Sequence, residues 1–213
     1  MKWTVIDKTL TKRPHTVSEY GKYRPELRLE AKEKCVYCGI HENSLGGSDS
    51  FHVEHYKPKS KFSKLEKEFE NLFYACAICN RFKSNDWPID PNSAHSIPSY
   101  PDPKLVNYNT LFDIDEDGVL HGKYTAAKYM IEKIVLNRPQ LINERKERML
   151  RERLNKAITN LPELTSKVLT LERSDERDSI LNEYISLSNE MISFQNNEHS
   201  ISKYGPSEIK RQK

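Results

Sequence analysis

The sequence has no long hydrophobic run and only a small net charge. None of its apolar stretches approaches the roughly 20 residues that a membrane-spanning helix needs. Residues 1–7 lack the continuous hydrophobic segment and the cleavage site of a signal peptide, so we expect a cytoplasmic protein with no membrane contact. The 34 lysines and arginines against 31 aspartates and glutamates give a charge of +3 at pH 7, which is too small to establish a polyanionic partner.

Cysteine is also scarce, and all four cysteines lie in two Cys-x-x-Cys pairs, Cys35/Cys38 and Cys76/Cys79. A two-residue spacer lets two thiolates reach one metal ion from a single tight turn, and four thiolates complete a tetrahedral zinc site. Buried free cysteines or two disulfides are the alternatives, but chance would rarely place every cysteine in such pairs. A thioredoxin-like redox pair needs a βαβ context, which the charged flanking segments do not provide. We therefore predict a structural Zn²⁺.

Composition divides the chain into four segments, without internal repeats or low-complexity tracts. The 37 residues at 39–75, between the cysteine pairs, exceed the roughly 15 to 20 of a compact zinc ribbon, so we expect a folded insert there. The predicted segments are an irregular N-terminal stretch at 1–23, a zinc-bound domain at 24–122, a helical C-terminal region at 123–196 and a polar tail at 197–213.

Local patterns predict the elements of the zinc-bound domain. Residues 24–34 favour a helix that leads to the first cysteine pair, and residues 51–56 favour a short strand. Asp117-Gly118 between two alternating runs predicts a β-hairpin. Residues 86–108 are rich in proline, asparagine and serine and predict an ordered loop.

The C-terminal region has helical periodicity. Apolar residues recur at helical spacing from Tyr124, and Pro139 is suited to open a second helix. Pro162 predicts a break, and a last amphipathic helix is expected over residues 180–194. The basic residues at 145–156 are typical of a solvated helix face, with a nucleic-acid contact as the alternative.

The insert between the cysteine pairs contains residues suited to phosphodiester hydrolysis. Such a site needs a base that activates water, hard oxygen ligands for a divalent ion, and a cation for the phosphate. Glu54 and His55 are adjacent; neighbouring strand residues point to opposite faces, so both can serve one site only where the strand ends. Asn71 can hold a loop through its amide, Asn80 stands where a helix would begin, and one turn later this helix presents Lys83.

These motifs resemble the HNH endonuclease family over residues 24–86. The matching set is C-x-x-C, E-H-Y-K-P-K-S and N-L-F-x-x-C-x-x-C-N-x-x-K. The resemblance implies an α+β fold with a ββα-metal core. It assigns His55 as the general base and Glu54 as the first metal ligand. It also assigns Asn71 as the residue that orients the loop and the base, and Asn80 as the second metal ligand. At the position of Asn80 the family more commonly has a histidine. The oxygen ligands of Glu54 and Asn80 favour Mg²⁺ or Mn²⁺, and the replacement of histidine leaves open a weak or partner-dependent site.

A softer set of motifs extends the resemblance to about residue 150. H-x-E-H-Y-K-P-K-S, C-N-R-F-K, Asp90-Pro91 and the L-N-R-P segment at 136–139 are similar to the HNH subunit of Septu-type and retron-associated anti-phage systems. This resemblance implies an effector nuclease that works with an ABC-type ATPase subunit. Neither spacing nor composition indicates such a partner.

Simpler interpretations exist for these residues. His55 alone could be a structural histidine, but its acidic neighbour and the flanking cysteine pairs favour catalysis. His52 shares a face with Glu54 in a regular strand, so it is expected either to support the ligands from behind or to be an alternative ligand. Lys57, Lys59 and Lys83 are predicted phosphate contacts without base specificity, although lysines of a helix or loop also serve solubility alone.

The sequence thus predicts a metal-dependent endonuclease that acts on nucleic acid, with catalytic Mg²⁺ or Mn²⁺ beside the structural zinc. The alternatives are a zinc-dependent nucleic-acid-binding or adaptor module without catalysis, and a purely structural zinc subunit. Glu54, His55 and Asn80 separate these functions, because a binding module has no use for a base and oxygen ligands. The C-terminal helices are expected either to dock a partner or to complete the core.

Overall fold

Two short β-hairpins and five α-helices make up the part of the chain that this computed structural model describes, residues 3–11, 19–170 and 172–201. The strands are β1 Phe51–His55, β2 Leu72–Cys76, β3 Phe112–Ile114 and β4 Leu120–Gly122. The helices are α1 Arg24–Glu30, α2 Ala77–Lys83, α3 Thr125–Lys133, α4 Pro139–Thr170 and α5 Asp175–Ile201. Short 3-10 turns occupy Tyr20–Tyr23, Glu42–Leu45, Ser48–Ser50, Ser63–Leu65, Phe69–Asn71 and Tyr108–Thr110. The predicted α+β class is confirmed.

Strands β1 and β2 form an antiparallel hairpin that leads directly into α2. In its register, Phe51 is opposite Cys76 and His55 is opposite Leu72. The residue before α2 has an extended backbone, and its sulfur accepts a hydrogen bond from the Cys79 N–H, so the strand ends and the helix begins there. The ββα order places the end of β1 beside α2, as the HNH resemblance implies.

Aromatic rings dominate the core around this hairpin. Phe51 stacks on Tyr74 with ring centroids 4.8 Å apart, and all five residues of β2 are buried. Each buried large side chain stabilises the fold by about 1.5 to 3 kcal/mol. This packing fixes the last residues of β1, where Glu54 and His55 lie.

The described part of the N-terminal segment has neither an α-helix nor a strand, and its buried residues belong to the core. Trp3 is buried, and its indole N–H donates to the Tyr37 carbonyl at 2.9 Å. Asn109 accepts from the Trp3 N–H at 2.8 Å and donates to the Trp3 carbonyl at 2.9 Å. Lys8 forms a buried ion pair with Glu30 of α1 at 2.9 Å. These contacts fix the segment against α1 and the residues around the cysteines.

The Asp-Gly hairpin prediction is confirmed by β3 and β4, and α3 packs beside them. Ala126, Ala127 and Met130 of α3 are fully buried, as are Ile134 and Leu136 just after it. The first C-terminal helix therefore completes the core, which was one of the two expected roles.

The structure divides into two compact units, residues 1–146 and 147–213. Helix α4 contributes residues to both, and it runs through Pro162. The predicted break at this proline is wrong: proline removes one backbone N–H and crowds the preceding turn, but long helix-favouring segments on both sides continue the helix across the lost bond. The predicted segment boundaries after residues 23, 122 and 196 stay predictions.

The second unit contains the rest of α4 and helix α5. Arg177 of α5 donates to the Val168 carbonyl at 3.1 Å. The predicted last helix, 180–194, lies within α5, which continues to Ile201 past the start of the predicted polar tail; the rest of that tail lies outside the described residues. In the ranges that the structure describes, no helix combines the length and apolar character needed to cross a membrane.

Candidate functional site

The four cysteines converge at one buried point of the fold. Their sulfurs all lie within 4.8 Å of one another, and Cys38 Sγ is 3.9 Å from Cys76 Sγ. Tetrahedral coordination with metal–sulfur bonds of about 2.3 Å places sulfurs about 3.8 Å apart, so this spacing fits a four-thiolate metal site. All four cysteines are free, which excludes the alternative of two disulfides.

Glu54 lies near the end of β1 with its carboxylate turned into the protein. Only 3% of the residue is exposed, and its Oε1 accepts from Lys83 Nζ at 2.7 Å and from the Tyr37 hydroxyl at 3.0 Å. Burial raises the pKa of Glu54, and the ammonium of Lys83 opposes that rise. Both side-chain contacts fall on the same oxygen.

Lys83 is placed differently from the sequence prediction. Its side chain is fully buried, and besides Glu54 it donates to the His55 carbonyl at 2.9 Å. The rings of Tyr37 and Tyr100 have their centroids 6.0 and 5.5 Å from its ammonium. A buried ammonium cannot contact a phosphate in solvent, so the predicted substrate contact is corrected to an internal one that joins α2 to the end of β1.

His55 is the last residue of β1 and is half-buried. Its Nε2 lies 3.0 Å from the Glu66 carbonyl. A carbonyl oxygen only accepts, so Nε2 carries the proton and Nδ1 of the neutral ring is left as an acceptor. Burial lowers the pKa of His55, which favours this neutral form. The ring of Tyr20 packs edge-on against the imidazole with centroids 4.7 Å apart.

Asn71 fastens the loop between β1 and β2. Its Oδ1 accepts from the Lys57 N–H at 2.8 Å, and its Nδ2 donates to the carbonyls of Lys57 at 3.0 Å and Leu65 at 3.2 Å. Leu65 precedes Glu66, whose carbonyl holds the imidazole of His55. The amide of Asn71 thus positions the stretch of backbone that orients the histidine.

Asn80 lies on α2 at the junction of three surface cavities of about 500, 350 and 320 Å³. The smallest is also lined by Glu54 and His55. The structure therefore brings together the carboxylate, the imidazole and the amide that the sequence singled out. His52 lines the two larger cavities and is exposed, whereas Glu54 is buried, so the two do not share an environment.

The two remaining predicted lysines differ in position. Lys59 lines the cavity of Glu54 and His55, and its ammonium is 3.2 Å from both Glu66 Oε1 and the Tyr20 hydroxyl. Lys57 instead pairs with Asp90 at 3.0 Å. Only Lys59 of the three predicted lysines is at the cavity.

Sequence reasoning missed Arg81. It is exposed, follows Asn80 on α2 and lines two of the three cavities. Its guanidinium carbon lies 5.8 Å from the centroid of the Phe82 ring. Its position directly after the candidate ligand, in C-N-R-F-K, was the available signal.

Comparison with known proteins agrees with this geometry. Residues 35–86 match the family model described as HNH endonuclease. The chain is also 30% identical over 139 aligned residues to the Septu protein PtuA of Bacillus mycoides (strain KBAB4), an alignment that covers 53% of this chain. It spans only 18% of the length of that relative.

The family match encloses both cysteine pairs, β1, β2 and α2. It also encloses the cavity-lining residues Glu54, His55 and Asn80. The chain therefore contains an HNH endonuclease domain at residues 35–86.

Proposed function

We propose that the chain is a metal-dependent HNH endonuclease that hydrolyses phosphodiester bonds of nucleic acid. The observation that carries this proposal is the shared cavity of Glu54, His55 and Asn80. A base and two oxygen ligands around one solvent-accessible space are the groups that such hydrolysis requires. The four cysteines would hold a structural Zn²⁺, which suits a closed set of thiolates.

His55 would act as the general base through Nδ1. It takes a proton from water, the resulting hydroxide attacks the phosphorus, and the bond from phosphorus to the leaving oxygen breaks. A Mg²⁺ or Mn²⁺ ion bound by Glu54 and Asn80 would supply stabilisation of the negative charge on the phosphate oxygens. Lys59 and Arg81, both at the cavity, would contact the backbone of the substrate.

Buried contacts hold the residues of this site in place. Lys83 and Tyr37 hold one oxygen of Glu54, so its other oxygen can serve the ion. Asn71 fixes the loop whose carbonyl orients His55. Side chains that hold such groups in place lower the cost of arranging the site during the reaction.

We further propose that the nuclease is the effector of an anti-phage defence system and works with an ABC-type ATPase subunit. The similarity to a Septu protein supports the defence setting. The second unit would supply the docking surface, since it exposes large apolar side chains, namely Ile158, Leu169, Ile185 and Ile192.

The decisive test compares cleavage of DNA and RNA by the purified chain with and without Mg²⁺ or Mn²⁺. His55→Ala should lower the cleavage rate by about 10²- to 10⁴-fold while nucleic-acid binding persists, because it removes only the base. His121→Ala is the matched control, since this histidine is exposed on the β3–β4 hairpin and pairs with Asp115. Equal cleavage by wild type and His55→Ala would reject the proposed base.

A different result would favour the alternative function. Nucleic-acid binding by the wild-type chain with no cleavage under either ion, alone or with its ATPase neighbour, would indicate a binding or adaptor module. The engagement of Glu54 in a buried ion pair is the observation that favours this alternative.

A further inference from the structure

Arg138 lies against the cysteine cluster from the turn between α3 and α4. Its Nη2 is 3.4 Å from Cys79 Sγ and 3.9 Å from the sulfurs of both Cys38 and Cys76. The residue is 7% exposed, and Nη1 donates to backbone carbonyls of the preceding turn. Its Nε is buried without a hydrogen-bond partner. The guanidinium group is therefore directed at sulfur.

Arg145 is a second buried arginine near the cluster, on α4. It is fully buried and donates to the carbonyls of Leu136 and Gly118 and to Asn137 Oδ1, all neutral acceptors. Burial lowers the pKa of Arg145 to about 10, and electrostatic attraction to Cys38 and Asp115 opposes this. Within the described residues, neither this arginine nor Arg138 has an ion pair with a carboxylate.

The buried guanidinium group of Arg138 has no carboxylate partner among the described residues and requires a compensating charge, because an unpaired charge in a protein interior costs several kcal/mol. Four thiolates around one Zn²⁺ leave two negative charges, and Arg138 lies directly against their sulfurs. Four neutral thiols would leave Arg138 uncompensated. We propose that Arg138 is a countercharge of the metal-bound cysteine cluster and donates directly to its sulfurs.

This arrangement couples the metal site to the start of the C-terminal helices. Asn137, between the two contacts, accepts from the Leu120 N–H at 2.8 Å and donates to the Leu120 carbonyl at 2.9 Å. The L-N-R-P segment thus ties β4, α4 and the cysteine cluster together. Metal occupancy should therefore determine how well residues 134–145 are ordered, whether or not the chain is an active nuclease.

The test uses Arg138→Gln, Arg138→Lys and the control Arg153→Gln, which changes an exposed arginine of α4. Removing an outer partner of metal ligands typically weakens metal affinity by about 10- to 100-fold. Arg138→Gln should accordingly release zinc to a chromogenic chelator about 10- to 100-fold faster than wild type. Arg138→Lys keeps the charge, so its rate of zinc release should lie between those of wild type and Arg138→Gln. Arg153→Gln should release zinc at the wild-type rate.

A second readout is spectroscopic. Loss of the N–H donors makes the thiolates more electron-rich, so the sulfur-to-metal absorption band of the cobalt-substituted Arg138→Gln protein should move to longer wavelength. An unchanged band together with unchanged zinc release would overturn the proposal.

A measurement on the wild-type protein keeps the proposal falsifiable if the variants do not fold. Stripping the metal with a chelator should raise amide hydrogen exchange in residues 134–145, because Arg138 loses its countercharge. Exchange in α5 serves as the internal reference. Equal protection of residues 134–145 with and without metal would reject the coupling.

Discussion

The ammonium group of Lys83 is buried between Glu54 and the carbonyl of His55, so its charge acts inside the protein. A buried ion pair is weak evidence for net stability, but removal of one partner leaves the other charge unpaired. Lys83 therefore determines the protonation state and the position of Glu54, the proposed metal ligand, without facing the substrate.

Lys83→Met should destabilise the protein by about 3 kcal/mol or more at pH 7, because Glu54 would remain buried without its cation. Burial already raises the pKa of Glu54, and loss of the ammonium raises it further. A carboxyl group whose pKa is higher in the folded than in the unfolded protein stabilises the folded state at low pH, and this stabilisation is lost as the pH rises. The difference between variant and wild type, measured by denaturant unfolding, should thus be smaller at pH 5 than at pH 7.

Lys59→Met is the matched control, since Lys59 forms an exposed pair with Glu66 at 3.2 Å. Exposed pairs typically contribute about 0 to 1 kcal/mol. A loss of stability in Lys83→Met no larger than in this control, or independent of pH, would contradict the account of the buried pair.

Single residues differ in how far the sequence reveals them. The cysteines were predictable because two C-x-x-C pairs have few uses other than metal binding. The burial of Lys83 was not, because a seven-residue helix has too few turns to show its inner face in the sequence. Arg138 was visible in L-N-R-P, but its contact with sulfur depends on packing between residues 59 to 100 positions apart.

At the scale of elements, the β3–β4 hairpin depends on close approach to α4. Gly118 has a φ of +75°, and a Cβ there would lie 2.7 Å from the Ile142 carbonyl oxygen. Glycine is required for both reasons, the left-handed backbone and the space. The Asp-Gly signal predicted the turn; the contact with α4 was not in the local pattern.

Gly118→Ala should lower the free energy of unfolding more than Gly46→Ala does. Gly46 also has a positive φ, +83°, but its nearest atom to an added Cβ is Ser50 Oγ at 3.8 Å. Both variants strain the backbone, so their difference isolates the clash, for which overpacking typically costs about 1 to 3 kcal/mol. Thermal or denaturant unfolding measures it, and equal destabilisation would show that α4 moves away without cost.

The elements also show where local signals fail. Pro139 opens α4 as predicted, where a missing N–H costs nothing. Pro162 has the same chemistry but lies inside the helix, so the prediction of a break was wrong. Local rules give the cost of a proline, but they do not weigh it against the helix propensity of the turns on either side.

For the whole molecule, the two compact units separate the proposed roles. Met130, Ile134 and Leu136 are fully buried in the first unit, which also holds the cysteine cluster and the cavity of His55. The sequence left open that the C-terminal helices, from Tyr124 onward, dock a partner. That assignment would take these buried residues away from the core, so the helix that contains them is not a separate docking region. The second unit begins only at Glu147.

A truncation that ends at Lys146 should therefore remain soluble and retain its metal, whereas one that ends at Lys123 should aggregate. The reason is that the shorter chain loses the buried face of α3 together with Arg138 and Arg145, while the longer chain keeps all three. Size-exclusion chromatography and elemental analysis of zinc measure these outcomes.

The proposed partnership adds a further expectation: the full chain should co-purify with an ATPase encoded beside it, and the chain that ends at Lys146 should not. Retention of the ATPase by that shorter chain would place the docking surface in the first unit, and failure of the full chain to bind it would remove the defence-system proposal while leaving the HNH domain intact.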